Sequence, residues 1–141
     1  MDAVEAVRDW IDGWVRGWST HDPDPIAALY TEDALFVSHP FRTALRGAAG
    51  AAEYVRSAFA EEDTVEFWFA EPVMAGARAA VEYWAHFTTG GDEQTLSGIT
   101  ALVFAADGKC REHRDYWAIR DGRLERAGGW TQPIAAHGRC G

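Results

Sequence analysis

The heptapeptide REHRDYW, residues 111–117, contains an imidazole and a carboxylate two positions apart. His113 and Asp115 are alternate residues, so in a β-strand both would project from the same face of the sheet. Such a pair on a cavity wall can share or transfer a proton near neutral pH. The spacing therefore predicts a candidate acid–base pair. The competing interpretation is a solvated strand face, or a buried pair that only fixes the sheet.

Alternation divides this strand into two faces without deciding which one is buried, because each face holds charges and an aromatic ring. One face would carry Arg111, His113, Asp115 and Trp117, and the other would carry Cys110, Glu112, Arg114 and Tyr116. On an outward face, Glu112 and Arg114 would form an exposed ion pair.

The elements around this strand are helical in the first half of the chain and extended afterwards. Apolar spacing predicts helices over residues 2–19, 25–30 and 47–60. Extended patterns predict strands over residues 34–40, 64–74, 77–89, 94–106 and 109–119. This order predicts an α+β roll, a curved antiparallel sheet packed against three helices of the N-terminal half, with room for a pocket.

Composition excludes several classes of function. Thirteen basic against twenty-two acidic residues give a net charge of −9, which argues against nucleic acid or an anionic membrane as the partner. The acidic N-terminus does not resemble a secretory signal, and no apolar run approaches the roughly 20 residues of a membrane span. Cys110 and Cys140 are interpreted as free thiols of a reducing compartment, which predicts a cytoplasmic protein.

No cofactor or metal is expected. The chain lacks GxSxG, a P-loop and a GxGxxG motif after a strand, and its histidines lack metal-ligand spacing. We expect a single domain over residues 1–141, with its core at about 4–131 and an irregular tail at about 132–141.

Three segments resemble a known family when taken together and in order: HDPDPIAALYTEDALFVSHP, LRGAAGAAEYV and GITALVFAADGKCREHRDYW. They are similar to the SnoaL-like branch of the nuclear transport factor 2-like superfamily, which includes polyketide cyclases, ketosteroid isomerase, limonene epoxide hydrolase and scytalone dehydratase. The resemblance implies a cone-shaped cavity between the concave sheet face and the helices. It also implies a homodimer formed through the outer sheet face, where Glu82, Trp84 and His86 are expected.

The resemblance also implies roles for individual residues. In SnoaL-like cyclases an Asp on the last hairpin strand transfers the proton, and Asp115 matches it, with His113 beside it; Arg114 departs from the aromatic common in that family. The positions of the ketosteroid isomerase triad match Trp14, His39 and Thr100. None keeps the family residue, which argues against that isomerase mechanism, although His39 remains an acid–base group.

The resulting hypothesis is a cofactor-independent acid–base catalyst of cyclisation, isomerisation or dehydration, acting on a polyketide-like or other apolar carbonyl compound. The alternative is a non-catalytic module that binds an apolar ligand or serves as a dimeric scaffold. The candidate catalytic residues are Asp115, His113 and His39. The candidate pocket residues are Trp14, Trp18, Tyr30, Tyr54, Tyr83, Thr100, Leu102 and Trp117.

Overall fold

The computed structural model describes residues 1–128 and 133–140. Its helices are α1 (Ala3–Thr20), α2 (Asp24–Ala27) and α3 (Gly47–Glu61). Its strands are β1 (Tyr30–Val37), β2 (Leu45–Arg46), β3 (Thr64–Ala70), β4 (Val73–Ala75), β5 (Arg78–Thr89), β6 (Asp92–Phe104), β7 (Cys110–Asp121) and β8 (Pro133–Cys140). A curved sheet with three helices confirms the predicted α+β class.

Helix α1 forms where its apolar stripe predicts. The Asp2 carboxylate caps its first turn by accepting a hydrogen bond from the Glu5 backbone amide at 2.9 Å. One face buries Trp10 and Ile11 against the sheet. The helix ends at His21, which adopts a left-handed backbone conformation.

The segment that follows α1 differs from the prediction. The second helix stops at Ala27, and Tyr30, expected on that helix, is the first residue of β1. The Tyr30 side chain is 1% exposed, so its burial in the core determines its position more than local helical spacing does. Strand β1 accordingly begins earlier than predicted and ends at Val37.

The sheet has the order β2-β1-β7-β6-β5-β3-β8, with β4 paired to β5 off this path. Strands β5, β6 and β7 form the predicted antiparallel meander. Strand β1 pairs in parallel with β7, so the sheet is mixed where an antiparallel one was expected. The parallel pairing is possible because α3 and five strands lie between β1 and β7 along the chain.

Two further expectations are corrected. The single strand predicted over residues 64–74 is broken between β3 and β4, where Pro72 lacks the amide that a continuous ladder needs. The tail expected to be irregular contains β8, which pairs antiparallel with the free edge of β3. Residues 131–132 of the predicted boundary between core and tail lie outside the described residues.

The core lies between the helices and the concave face of the sheet. Helix α3 packs on β1, and α1 packs against β8. Gly98 of β6 lies between Tyr83 and Trp117 on the neighbouring strands, and a Cβ at this position would lie 2.5 Å from the Tyr83 hydroxyl. The missing side chain leaves room for both rings on the concave face. In the described residues, no helix is long and apolar enough to cross a membrane.

Candidate active site

A β-bulge at the start of β7 decides which of its side chains face inward. Phe104 pairs with Cys110 and Val103 pairs with Glu112, which leaves Arg111 as the extra residue. Because the bulge reverses the alternation, Cys110 is fully buried and Arg111 is exposed, opposite to the predicted faces. Beyond the bulge the predicted alternation is observed.

Glu112 and Arg114 form the outward ion pair that the alternation predicts, with 3.4 Å between Oε2 and Nε. On the other face, His113 is 1% and Asp115 is 8% exposed. The acid–base pair therefore lies on the buried, concave side of the sheet.

The Asp115 carboxylate is held by two neighbours. Thr100, its register partner on β6, donates a hydrogen bond from Oγ1 to Oδ1 at 2.6 Å. His113 Nε2 lies 2.9 Å from Oδ2. That contact is close enough for an ion pair, but its angle is not that of a hydrogen bond, and Nε2 has no other partner. One carboxylate oxygen is therefore fixed, while the other has only a loosely aligned neighbour.

The far side of the His113 ring is fixed by a buried network. The indole N–H groups of Trp10 and Trp14 each donate to the Tyr30 hydroxyl at 3.1 Å, and this hydroxyl lies 2.7 Å from His113 Nδ1. An indole can only donate, so the Tyr30 oxygen is the acceptor in both bonds and its single proton is directed at Nδ1. In the neutral imidazole the proton then resides on Nε2, facing Asp115. Burial raises the pKa of Tyr30 well above its usual value, so the phenol keeps its proton.

A cavity of about 480 Å³ opens beside this network, within the usual range for small-molecule sites. Apolar and aromatic side chains from α1, α3 and the sheet form most of its wall. Of the predicted residues, the wall contains Trp14, Trp18, Tyr54, Tyr83, Thr100, His113, Asp115 and Trp117.

Three predicted site residues are not part of this wall. His39 follows the end of β1, where its ring packs edge-on against Trp117 at 4.7 Å and its Nδ1 accepts a long hydrogen bond from the Phe41 amide. Tyr30 lies behind His113 rather than in front of it. Leu102 is paired with His113 and buried in the core at 1% exposure. Tyr30 and Leu102 are part of the core rather than of the wall, and His39 lies beside the wall residue Trp117.

Tyr54 and Arg42 add polar groups near Asp115. Burial and the nearby Asp115 charge raise the pKa of Tyr54 to about 12, and Arg42 partly offsets this rise. Tyr54 therefore remains a hydrogen-bond donor at neutral pH. The Arg42 guanidinium lies over the Trp117 ring, 5.3 Å from its centroid. The sequence analysis assigned no role to Arg42, and its position after a proline-terminated strand gave no signal of one.

Glu62 is a second carboxylate in the cavity wall, and the sequence analysis missed it. Both its oxygens accept from Trp18 Nε1, at 3.1 and 3.0 Å. Its side chain is 12% exposed, and burial raises its pKa from the usual 4.5 to about 7, an effect that the Trp18 bond partly offsets. In the sequence it stands in the run EED (61–63), which has the composition of a solvated helix end.

Metal and thiol chemistry have little support in the described part of the chain. No three His, Cys, Asp or Glu side chains there converge in a way that could hold a metal ion. The Cys110 thiol donates to the Glu112 carbonyl at 3.2 Å, and burial raises its pKa to about 12, so it remains protonated.

The outward residues of β5 contact a neighbouring segment. Trp84 Nε1 donates to the Leu124 carbonyl at 3.0 Å, and His86 Nε2 lies 2.7 Å from the same oxygen. Glu82 pairs with Arg126 at 2.8 Å. The three residues expected at a dimer interface thus face outward, beneath residues 124–126.

Comparisons with known proteins agree with this architecture. The sequence profile described as the SnoaL-like domain matches residues 7–113. No curated protein matches the sequence. Among solved structures, a Bacillus subtilis protein provisionally named an isomerase has a TM-score of 0.73 at 17% identity, covering 84% of this chain and 90% of that one.

Two further structures belong to proteins with enzymatic names. SalBIII, an epoxide hydrolase/cyclase-like enzyme described in pyran ring formation in the polyether salinomycin, has a TM-score of 0.67 at 20% identity, covering 85% and 95% of the two chains. An LEH-like epoxide hydrolase from Mycobacterium tuberculosis has a TM-score of 0.64 at 18% identity, covering 82% of each. At these identities the likeness establishes the fold alone.

Proposed function

The chain belongs to the SnoaL-like domain family, within the nuclear transport factor 2-like superfamily, and on that premise we propose that it is a cofactor-independent acid–base catalyst. The proposed substrate is an apolar small molecule with a carbonyl group. The fold is shared by proteins named as epoxide hydrolases and a cyclase, so it accommodates several chemistries on one scaffold.

One observation carries this proposal. Asp115 stands in the wall of an aromatic-lined cavity, with one oxygen fixed by Thr100 and the other 2.9 Å from His113. A carboxylate held in this way, next to space for a ligand, is positioned to accept a proton from a bound molecule.

The proposed reaction is proton transfer at carbon. Asp115 accepts a proton from the carbon next to the carbonyl, and the C–H electron pair forms a C=C bond. The electron pair of the C=O bond moves to the oxygen, which carries the negative charge of the resulting enolate. The Tyr54 phenol, which keeps its proton because burial and Asp115 raise its pKa to about 12, donates a hydrogen bond to that oxygen. In an isomerisation, Asp115 then returns the proton to another carbon. In a cyclisation, the enolate carbon attacks a second carbonyl carbon, the electron pair of that C=O bond moves to its oxygen, and Asp115 gives its proton to the resulting alkoxide.

His113 acts as a positioning residue in this scheme. The bond from Tyr30 fixes the imidazole ring, whose Nε2 atom lies 2.9 Å from the second carboxylate oxygen of Asp115. His39 has no part in the proton transfer, because it lies outside the cavity wall.

The experiment is hydrogen–deuterium exchange at carbon for a panel of polycyclic ketones and diketones in D₂O, followed by NMR. We expect the wild-type protein to accelerate exchange of at least one compound, and Asp115→Asn to slow it by about 10²–10⁴-fold. Asp92→Asn, an exposed change on β6, is the control. Exchange that is equally fast in Asp115→Asn would refute the role of this residue.

A non-catalytic binding module is the second candidate. The extensive burial of Trp10, Trp14, Tyr30 and His113 favours it, because a buried polar network can serve only to specify the core. Under this candidate, the ketones bind in the cavity but none exchanges faster than in buffer.

We also propose a homodimer formed through the outer sheet face. Ile99 and Tyr116, opposite each other on β6 and β7, are 46% and 52% exposed and offer an apolar contact outside residues 124–126. Light scattering should then give twice the chain mass of 15.6 kDa, and a mass near that of one chain would contradict the dimer.

A further inference from the structure

We propose that Glu62, with Trp18, forms a recognition site for a cationic group of the ligand, so that the substrate class is an apolar carbonyl compound carrying a protonated amine. We call Glu62 and Trp18 the Glu62 end of the cavity, and Asp115, His113 and Thr100 the Asp115 end. The inference rests on the proposed function for the chemistry at the Asp115 end. It adds the ligand group that binds at the Glu62 end.

The contacts at Glu62 leave it able to accept further hydrogen bonds. Its two oxygens share a single donor, the Trp18 indole, among the described residues. A carboxylate has about four acceptor positions, so capacity remains on the side that faces the cavity. The nearby His21 has its Nε2 atom 3.4 Å from Oε2 and makes no hydrogen bond through it among the described residues. The Glu62 carboxylate therefore keeps unused acceptor positions.

The location of Glu62 is unfavourable for stability. It is the residue that caps the C-terminal end of α3, where the helix dipole disfavours negative charge. Burial disfavours the charge as well, which is why its pKa is raised to about 7. A carboxylate that is kept buried at an unfavourable position in a cavity wall suggests a role in binding.

The surroundings favour a cation as the occupant. Among the described residues, the charged side chains in the cavity wall are three carboxylates, Glu61, Glu62 and Asp115, and one guanidinium, Arg42. Arg42 lies over Trp117, whose strand also carries Asp115, and so belongs to that side. The excess of negative charge at the Glu62 end therefore favours a positively charged group.

Trp14 lies between the two ends, because its ring centroid is 6.4 Å from that of Trp18 and 6.1 Å from that of His113. The two carboxylates also both raise the pKa of Tyr54, so both lie near its phenol. The amine and the reacting carbonyl therefore belong at opposite ends of one small ligand.

The test uses three probes with the same apolar body: naphthylmethylamine, naphthylmethanol and naphthoic acid. Their affinities are measured by calorimetry at pH 8, where Glu62 is ionised. We expect the wild-type protein to prefer the amine. Glu62→Gln should weaken amine binding about tenfold and leave the alcohol unchanged, because the amide keeps the Trp18 hydrogen bond and loses only the charge. Glu53→Gln, an exposed change on α3, removes the same charge and should keep the preference.

Each other outcome decides against the inference. If the probes bind equally, or if Glu62→Gln keeps the amine preference, the Glu62 end does not recognise cations, and the proposed chemistry at Asp115 is unaffected. If no probe binds the wild-type protein, the cavity is not a ligand site, and both proposals are overturned. A lower melting temperature for Glu62→Gln at pH 8 would show that the carboxylate has a stabilising role instead.

Discussion

The two ends of the cavity hold their carboxylates in different ways. At the Asp115 end, Thr100 donates a strand-to-strand bond to one carboxylate oxygen, and Tyr30 fixes the His113 ring beside the other. At the Glu62 end, the carboxylate follows a helix, shares one indole donor and has a raised pKa. The first arrangement orients a group for proton transfer, whereas the second keeps an unfavourable charge available to a ligand.

The stripe of tryptophans on α1 connects the two arrangements. Trp10, Trp14 and Trp18 are spaced four residues apart, so they lie along one face of the helix. The first two donate to Tyr30 and the third donates to Glu62. A single helix thus positions both ends, and differences in their behaviour must come from the carboxylates and their other neighbours.

The largest expected effect among these variants is at Tyr54. Tyr54→Phe removes the proposed donor to the enolate oxygen. It should slow hydrogen–deuterium exchange at carbon by about 10²–10³-fold, while amine binding at the Glu62 end is retained. NMR exchange rates and calorimetry measure the two properties on the same sample. Tyr116→Phe, exposed on the outer face, is the matched control. Equal exchange rates in the two variants would remove Tyr54 from the mechanism.

Tyr30→Phe tests whether the Asp115 end depends on its buried network. The change leaves the indole N–H groups of Trp10 and Trp14 and the Nδ1 atom of His113 without their partner, which should lower the free energy of unfolding by about 2–3 kcal/mol. Urea denaturation measures the loss. An unchanged free energy of unfolding would mean that water or a rearranged ring replaces the hydroxyl. The Asp115 end would then not depend on the Tyr30 network.

The pH dependence of stability tests the Glu62 end. Because the pKa of Glu62 is higher in the folded protein than its usual 4.5, folding is favoured by protonation. This stabilisation is complete below about pH 4.5 and is lost as the pH rises through about 7, an effect on the order of 2 kcal/mol. Denaturation between pH 5 and 8 should show the loss in wild type and a flatter profile in Glu62→Gln. Parallel profiles would contradict the raised pKa.

Gly98→Ala gives the smallest expected effect and concerns the shape of the wall at the Asp115 end. The added Cβ would lie 2.5 Å from the Tyr83 hydroxyl and 2.9 Å from the Trp117 Cβ, so overpacking should cost about 1–2 kcal/mol. Gly128→Ala is the control in the same urea experiment, because no atom of the described residues lies within 4 Å of a Cβ at that position. If both variants are equally stable, the rings move aside freely and the glycine does not shape the cavity.

Much of the fold follows from local pattern. The apolar stripe of α1 and the turns between β5, β6 and β7 predicted those elements because each depends on neighbours in sequence. The sequence did not predict the parallel pairing of β1 with β7 or the strand position of Tyr30, since both depend on contacts between distant segments.

The acid–base pair was predictable because strand alternation applied to it. His113 and Asp115 share a face by simple periodicity, and the structure places both in the cavity wall. Cys110 was assigned to the wrong face because a bulge adds one residue that no local signal announced. Glu62 was missed because nothing in a run of three acids tells which carboxylate is buried. Burial of a charged side chain is a property of packing, not of composition.

The central claim is that the two carboxylates have separate tasks, and a comparison of kcat with KM tests it most directly. The substrate would be an amine-bearing analogue of the ketone that exchanges fastest, measured with wild type, Asp115→Asn and Glu62→Gln. The account predicts that Asp115→Asn lowers kcat by about 10²–10⁴-fold with little change in KM. It predicts that Glu62→Gln raises KM about tenfold with kcat retained. A fall in kcat for Glu62→Gln, or an unchanged kcat for Asp115→Asn, would contradict it.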